Sequence, residues 1–114
     1  MVWFDKGRSD LGVAEYNLSG EKLDAAAFYC QQAVEKVLKA LIIQRSGVAS
    51  KTHELVALSR TLKAPKNVQG LCAKISPAYT VARYPDVGGD YSESDVKEIF
   101  AAAKEVLKWA EKQL

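Results

Sequence analysis

Residues 25–45 read AAAFYCQQAVEKVLKALIIQR, and the period of their apolar side chains decides the fold class. Set at 100° per residue, Tyr29, Cys30, Ala33, Val34, Val37, Leu38, Ala40 and Leu41 cover about half of a helix circumference. Gln31, Gln32, Glu35, Lys36 and Lys39 occupy the other side, where Glu35 and Lys39 form a favourable i,i+4 pair and a solvated face is expected. Phe28, Ile42 and Ile43 break into that polar side near its ends. A helix that is apolar on more than one face requires more than one neighbour. The segment is therefore expected at the centre of a helical bundle, with part of its surface offered to a second chain.

Helical signals continue on both sides. Trp3, Phe4, Gly7, Leu11, Ala14 and Leu18 recur at spacings of three and four, and Gly20 supplies a stop. Asp24 is expected to cap the central helix and Gly47 to end it. The stretch SKTHEL then opens a third helix, capped by Ser50 or Thr52, with Leu55, Leu58 and Leu62 on one face. A fourth begins near Lys66 and carries Val68, Leu71, Cys72 and Ile75. Pro77 either kinks it or sits in the first turn of a renewed segment capped by Ser76. RYPDVGGD is expected as a loop. Ser92 and Asp95 match a capping box for the last helix, whose face is Val96, Ile99, Phe100, Ala103, Val106, Leu107 and Ala110. No stretch alternates with period two. The reading is one all-α domain over residues 1–114, an up-and-down antiparallel helical bundle of four to five helices.

The composition fits that reading. A chain of 114 residues with 48% hydrophobic and 26% charged residues can build one core and argues against disorder. No run is apolar enough to span a membrane, and no secretory leader opens the chain, so a cytoplasmic protein is expected. Cys30 and Cys72 lack CxxC spacing and read as core thiols; with His53 the sole histidine, neither a metal site nor a cofactor is expected. The net charge of +2 is unevenly spread. From Lys36 to Arg83 the basic residues are Lys36, Lys39, Arg45, Lys51, Arg60, Lys63, Lys66, Lys74 and Arg83, against Glu54 alone as acid. Such a surplus either attracts phosphates or merely keeps helix exteriors soluble.

Taken in order, FYCQQAVEKVLKALI, THEL, ARYPD and the alanine-rich AAAKEVLKWAEK resemble the HEPN family (higher eukaryotes and prokaryotes nucleotide-binding domain) over nearly the whole chain. The resemblance implies an up-and-down bundle that is usually a homodimer and is often encoded beside a small nucleotidyltransferase with which it pairs. Several members are metal-independent endoribonucleases, some of them toxins of a toxin–antitoxin pair. Their active arginine and histidine are separated by four to six residues.

Counted from Arg83, that histidine would fall on Gly88, Gly89 or Asp90, so the ribonuclease motif is incomplete. Glycine cannot exchange a proton, and an arginine alone clamps phosphate but is a poor proton shuttle. Enzyme activity is thus left open, leaning towards none. Arg83 reads as a phosphate or nucleotide ligand, as a structural arginine tied to Asp86, Glu35 or a helix end, or as a catalytic group. Tyr84 would stack on a base or pack the loop, and Asp86 would cap the turn. Lys39 and His53 are supporting ligand candidates, with Gln32 and Glu35 in the same groove, and His53 is a catalytic candidate if helix packing brings it near Arg83. By the resemblance, Tyr91 is a candidate for nucleotide transfer by the partner. The expected function is a nucleotide- or RNA-phosphate-binding module paired with a nucleotidyltransferase. The alternatives are a metal-independent endoribonuclease and a non-catalytic protein-interaction bundle.

Overall fold

The computed structural model describes residues 2–83 and 91–114, and of residues 81–83 the backbone alone. Among the described residues six helices follow in order: α1 (Val2–Ser19), α2 (Leu23–Ser46), α3 (Leu55–Thr61), α4 (Lys66–Ile75), α5 (Ala78–Arg83) and α6 (Glu93–Glu111). Among the described residues there is no strand. The all-α bundle expected from periodicity is present; α3 is the expected third helix, and α5 is the renewed segment that follows Pro77.

The central position of α2 follows from its composition. Apolar on most of its circumference, it packs against all five other helices. Cys30, Ala33, Val34, Val37, Leu38 and Leu41 are fully buried along it. They join Phe4 and Ala14 of α1, Leu55 and Leu58 of α3, Cys72 and Ile75 of α4, and Val96, Ala103 and Val106 of α6 in one core. Ile42 is buried within the chain as well, and Phe28 packs against Tyr29 and Tyr79. Two of the three residues that suggested a second chain therefore find partners in this one. Ile43 remains half-exposed beside Trp3.

Helices α1 and α2 run antiparallel: Trp3 lies beside Ala40 and Ile43, while Gly7 lies beside Ala33 and Val37. Their approach is close because position 7 has no side chain. A Cβ there would sit 2.6 Å from Val37 Cγ1 and 2.9 Å from the Ala33 carbonyl oxygen. One turn on, the buried carboxylate of Asp10 meets Lys36 across the same interface, with Lys6 at 3.8 Å.

Local stop and start signals act mostly as the sequence implies. Gly47 adopts a left-handed conformation (φ 75°) and its N–H caps the Ile43 carbonyl. Ser92 and Asp95 make a reciprocal capping box. Three caps differ. Helix α2 begins at Leu23 with no side-chain cap, so Asp24 lies in its first turn instead. Glu54, rather than Ser50 or Thr52, caps α3, its carboxylate accepting from the N–H groups of Val56 and Ala57. Its longer side chain can reach back over the first turn while Thr52 accepts the Glu54 N–H. Ser76 closes α4 and spends its hydroxyl on α3, accepting from Leu55 N–H and donating to Glu54. Pro77 separates α4 from α5. No helix among the described residues is long and apolar enough to cross a membrane.

Candidate functional site

Residues 31, 35 and 39 stand at i,i+4 spacing on one ridge of α2. The sequence places them on a solvated face; the fold covers that face. Gln31 is fully buried, Glu35 is 7% exposed, and the segment before α3 crosses above them. This correction has a simple cause. Five neighbours surround α2, so even its polar ridge is enclosed.

Glu35 is the hub of the cluster. Gln31 Nε2 donates to its Oε1 (2.9 Å) and also to the main-chain carbonyl of His53 (3.3 Å). Gln32 Nε2 in turn donates to Gln31 Oε1 (2.7 Å). The second carboxylate oxygen of Glu35 meets both His53 Nδ1 (2.8 Å) and Lys39 Nζ (3.0 Å). Burial pushes the Glu35 carboxyl up, but the hydrogen bonds from Gln31, His53 and Lys39, with the lysine charge, outweigh it and hold it below its ordinary 4.5. Glu35 is therefore ionised at neutral pH.

An ionised carboxylate only accepts hydrogen bonds, so His53 Nδ1 carries the proton and Nε2 is the acceptor in the neutral ring. Among the described residues nothing hydrogen-bonds Nε2, and the side chain is 52% exposed. The imidazole is nevertheless held in place. The Tyr79 ring stacks on it, centroids 4.8 Å apart and planes within 12°. Phe28 lies against Tyr79 at 6.3 Å. Next to His53, the Glu54 cap and its bond from Ser76 pin the chain to α3 and α4.

The structure brings Lys39 and His53 together, with Gln32 and Glu35 in the same cluster. The side chain of Arg83 lies outside the described residues, as do Tyr84, Asp86 and the Gly88–Asp90 stretch; the backbone of Arg83 ends α5, one helical turn or about 6 Å past Tyr79. Tyr91 is elsewhere. It lines a surface groove with Leu23, Asp24 and Ala25 at the start of α2, about 16 Å along the axis from Glu35. Burial raises its phenol pKa, and the charges of Asp24 and Asp95 raise it further. Sequence reasoning missed Gln31 and Tyr79. The i,i+4 spacing of Gln31 to Glu35 was the available signal for the first; for Tyr79 the sequence offers none.

The charge balance is tighter than the chain order suggests. Lys36 is paired with Asp10, Lys39 with Glu35, and Lys74 lies 3.8 Å from Glu98. Arg45 donates to the Leu62 carbonyl and to Gln113. Glu35 and Lys39 cancel, so the cluster is neutral with a neutral imidazole and gains one positive charge when His53 is protonated. Among the described residues no group of three His, Cys, Asp or Glu side chains could hold a metal ion. What the arrangement offers is a carboxylate-oriented imidazole able to accept or give a proton at Nε2, beside an ammonium group.

The family model of the HEPN domain matches residues 1–113. The chain belongs to the HEPN domain family. Among solved structures, TT1696 from Thermus thermophilus superposes with a TM-score of 0.90 at 24% identity, covering 98% of this chain and 95% of that one. An archaeal HEPN homologue, ST0689, gives 0.82 at 30% identity, covering 97% and 93%. A HEPN domain protein from Thermotoga maritima gives 0.80 at 20%, covering 98% and 96%. The Thermus and Thermotoga likenesses bear on the fold alone. No curated protein matches the sequence. Family membership supports a nucleotide-binding or ribonuclease-like helical module.

Proposed function

We propose that this HEPN domain binds the phosphate of a nucleotide or RNA beside α2 and α5, using Lys39 and His53, with Arg83 and Tyr84 from the end of α5 onwards. The observation that carries this reading is the convergence of His53 and Lys39 on one oxygen of buried Glu35. It holds an ammonium group and an imidazole side by side in a fixed geometry, and α5 leads from the stacked Tyr79 to Arg83. A pre-positioned ammonium beside a fixed ring loses little freedom on meeting an anion. Binding of ATP and short RNAs is measured at equilibrium for the wild type, Arg83→Ala and Lys39→Ala. Affinity that falls in both variants supports the reading. Equal, negligible affinity in all three proteins removes it.

The family likeness further supports a homodimer that pairs with a small nucleotidyltransferase in a toxin–antitoxin-like arrangement, with Tyr91 as an acceptor of nucleotide transfer. Sedimentation at micromolar concentration and co-purification with the adjacent gene product test these assemblies. A species of 12.5 kDa alone contradicts the homodimer, and failure of the adjacent gene product to co-purify contradicts the pairing.

The Glu35–His53 pair favours a second reading, a metal-independent endoribonuclease. With its Nδ1 proton fixed by Glu35, His53 can take the proton of a ribose 2′-hydroxyl at Nε2 while the oxygen attacks the adjacent phosphorus. The 5′-oxygen then departs with a proton from water. Cleavage that resists EDTA and is lost in His53→Ala is the expected result; intact RNA after prolonged incubation rejects it.

A further inference from the structure

Histidines on exposed segments ordinarily sample several rotamers, but this one is held at three points. Its Nδ1 edge is fixed by Glu35 at 2.8 Å, its main-chain carbonyl accepts from Gln31, and one ring face lies on Tyr79 with planes 12° apart. Its side chain is still 52% exposed. With one edge and one face already engaged, that exposure belongs to the opposite face and the Nε2 edge. Phe28 packs against Tyr79 in turn, with ring centroids 6.3 Å apart. A flat ring, braced from behind and, among the described residues, open in front, is a platform on which another flat ring can stack at little ordering cost. Lys39 Nζ, on the same carboxylate oxygen as the imidazole, sets a cation beside that platform.

We propose that the open face of His53 receives an unstacked nucleobase, extending the Tyr79–His53 stack by one ring, so that the ligand is single-stranded nucleic acid gripped by base and backbone together. This inference rests on the phosphate-binding reading and narrows its ligand. Duplex RNA is excluded from the platform because its bases are stacked on one another. Stacking is tolerant of base identity, since every base has a π-face. The site therefore distinguishes a strand that has bases from one that has none, and only weakly one sequence from another.

The test uses two probes of equal length and phosphate number, a short oligoadenylate and its abasic counterpart, each titrated into the full chain. The wild type is expected to bind oligoadenylate about 5-fold to 150-fold more tightly, the range that loss of one aromatic stacking partner produces. In His53→Ala that ratio falls towards one, and in Tyr79→Leu, which removes the brace and keeps the imidazole, it falls part of the way. His53 lies outside the core, and circular dichroism checks that both variants remain helical. Because His53 is the sole histidine, its ring-proton resonances are unambiguous; oligoadenylate shifts them upfield and the abasic strand does not. Equal binding of the two probes by the wild type overturns the stacking inference and leaves phosphate binding standing. Binding of neither probe overturns both. A base preference that survives in His53→Ala places the base elsewhere and overturns the inference alone.

Discussion

Replacing Glu35 with alanine separates a built polar cluster from a solvated helix face. The carboxylate accepts from Gln31, His53 and Lys39 and is 7% exposed. Its removal leaves Nε2 of the fully buried Gln31 with only the 3.3 Å bond to the His53 carbonyl, a penalty of about 1–2 kcal/mol, while Oε1 keeps its bond from Gln32. Lys39, 16% exposed, loses its counter-charge; breaking a buried pair costs about 3–5 kcal/mol. That range is an upper bound here, because a flexible ammonium near the surface can turn to water. The half-exposed imidazole rehydrates at little cost. Against these terms stands the desolvation penalty that the carboxylate itself no longer incurs. The net expectation is a loss of about 3 kcal/mol, equivalent to a fall in Tm of roughly 12 °C for a domain of this size. Urea unfolding at pH 7, followed by helical circular dichroism, gives the difference directly, with the slope against denaturant unchanged. A loss below about 0.5 kcal/mol, the range of ordinary surface substitutions, refutes the cluster as described.

Three further outcomes follow from the same geometry. Because the folded-state pKa of Glu35 is lowered, its contribution is complete above its ordinary 4.5 and is lost as pH falls through the folded value; the stability gap between wild type and Glu35→Gln should be flat above about pH 5 and shrink below 4.5. A gap that widens in acid contradicts the assigned charge state. Gly7→Ala adds helix propensity of about 1 kcal/mol but drives its Cβ into Val37 and the Ala33 carbonyl, for a net destabilisation of about 1–3 kcal/mol; Gly12→Ala, where nothing lies within 4 Å, should instead stabilise by up to about 1 kcal/mol. Thermal melts that rank the two variants the other way refute the close α1–α2 contact. Burial pushes the Cys30 thiol up to about 12, and that of Cys72 to about 11, so iodoacetamide at pH 8 should label neither until urea is added. Rapid labelling of the native protein contradicts their burial.

The features legible in the sequence are those governed by local rules. The period of residues 25–45 gives α2 its helical state and central place, Gly47 its end, and Ser92 with Asp95 the start of α6, because each depends on residues within about two turns. Lys39 and His53 were identifiable as polar candidates from residue type and family likeness. Their joint attachment to Glu35 was not, since it requires a segment 18 residues further along the chain to cross α2. The same holds for Asp10, whose partner Lys36 is 26 positions away, and for Tyr79, which reaches His53 only once Pro77 has turned α5 back onto α2. Residue pattern alone thus determined that this chain is a helical bundle and which elements compose it. Whether a polar ridge faces water or a neighbour was decided only by tertiary packing, because burial depends on what the rest of the chain lays over it.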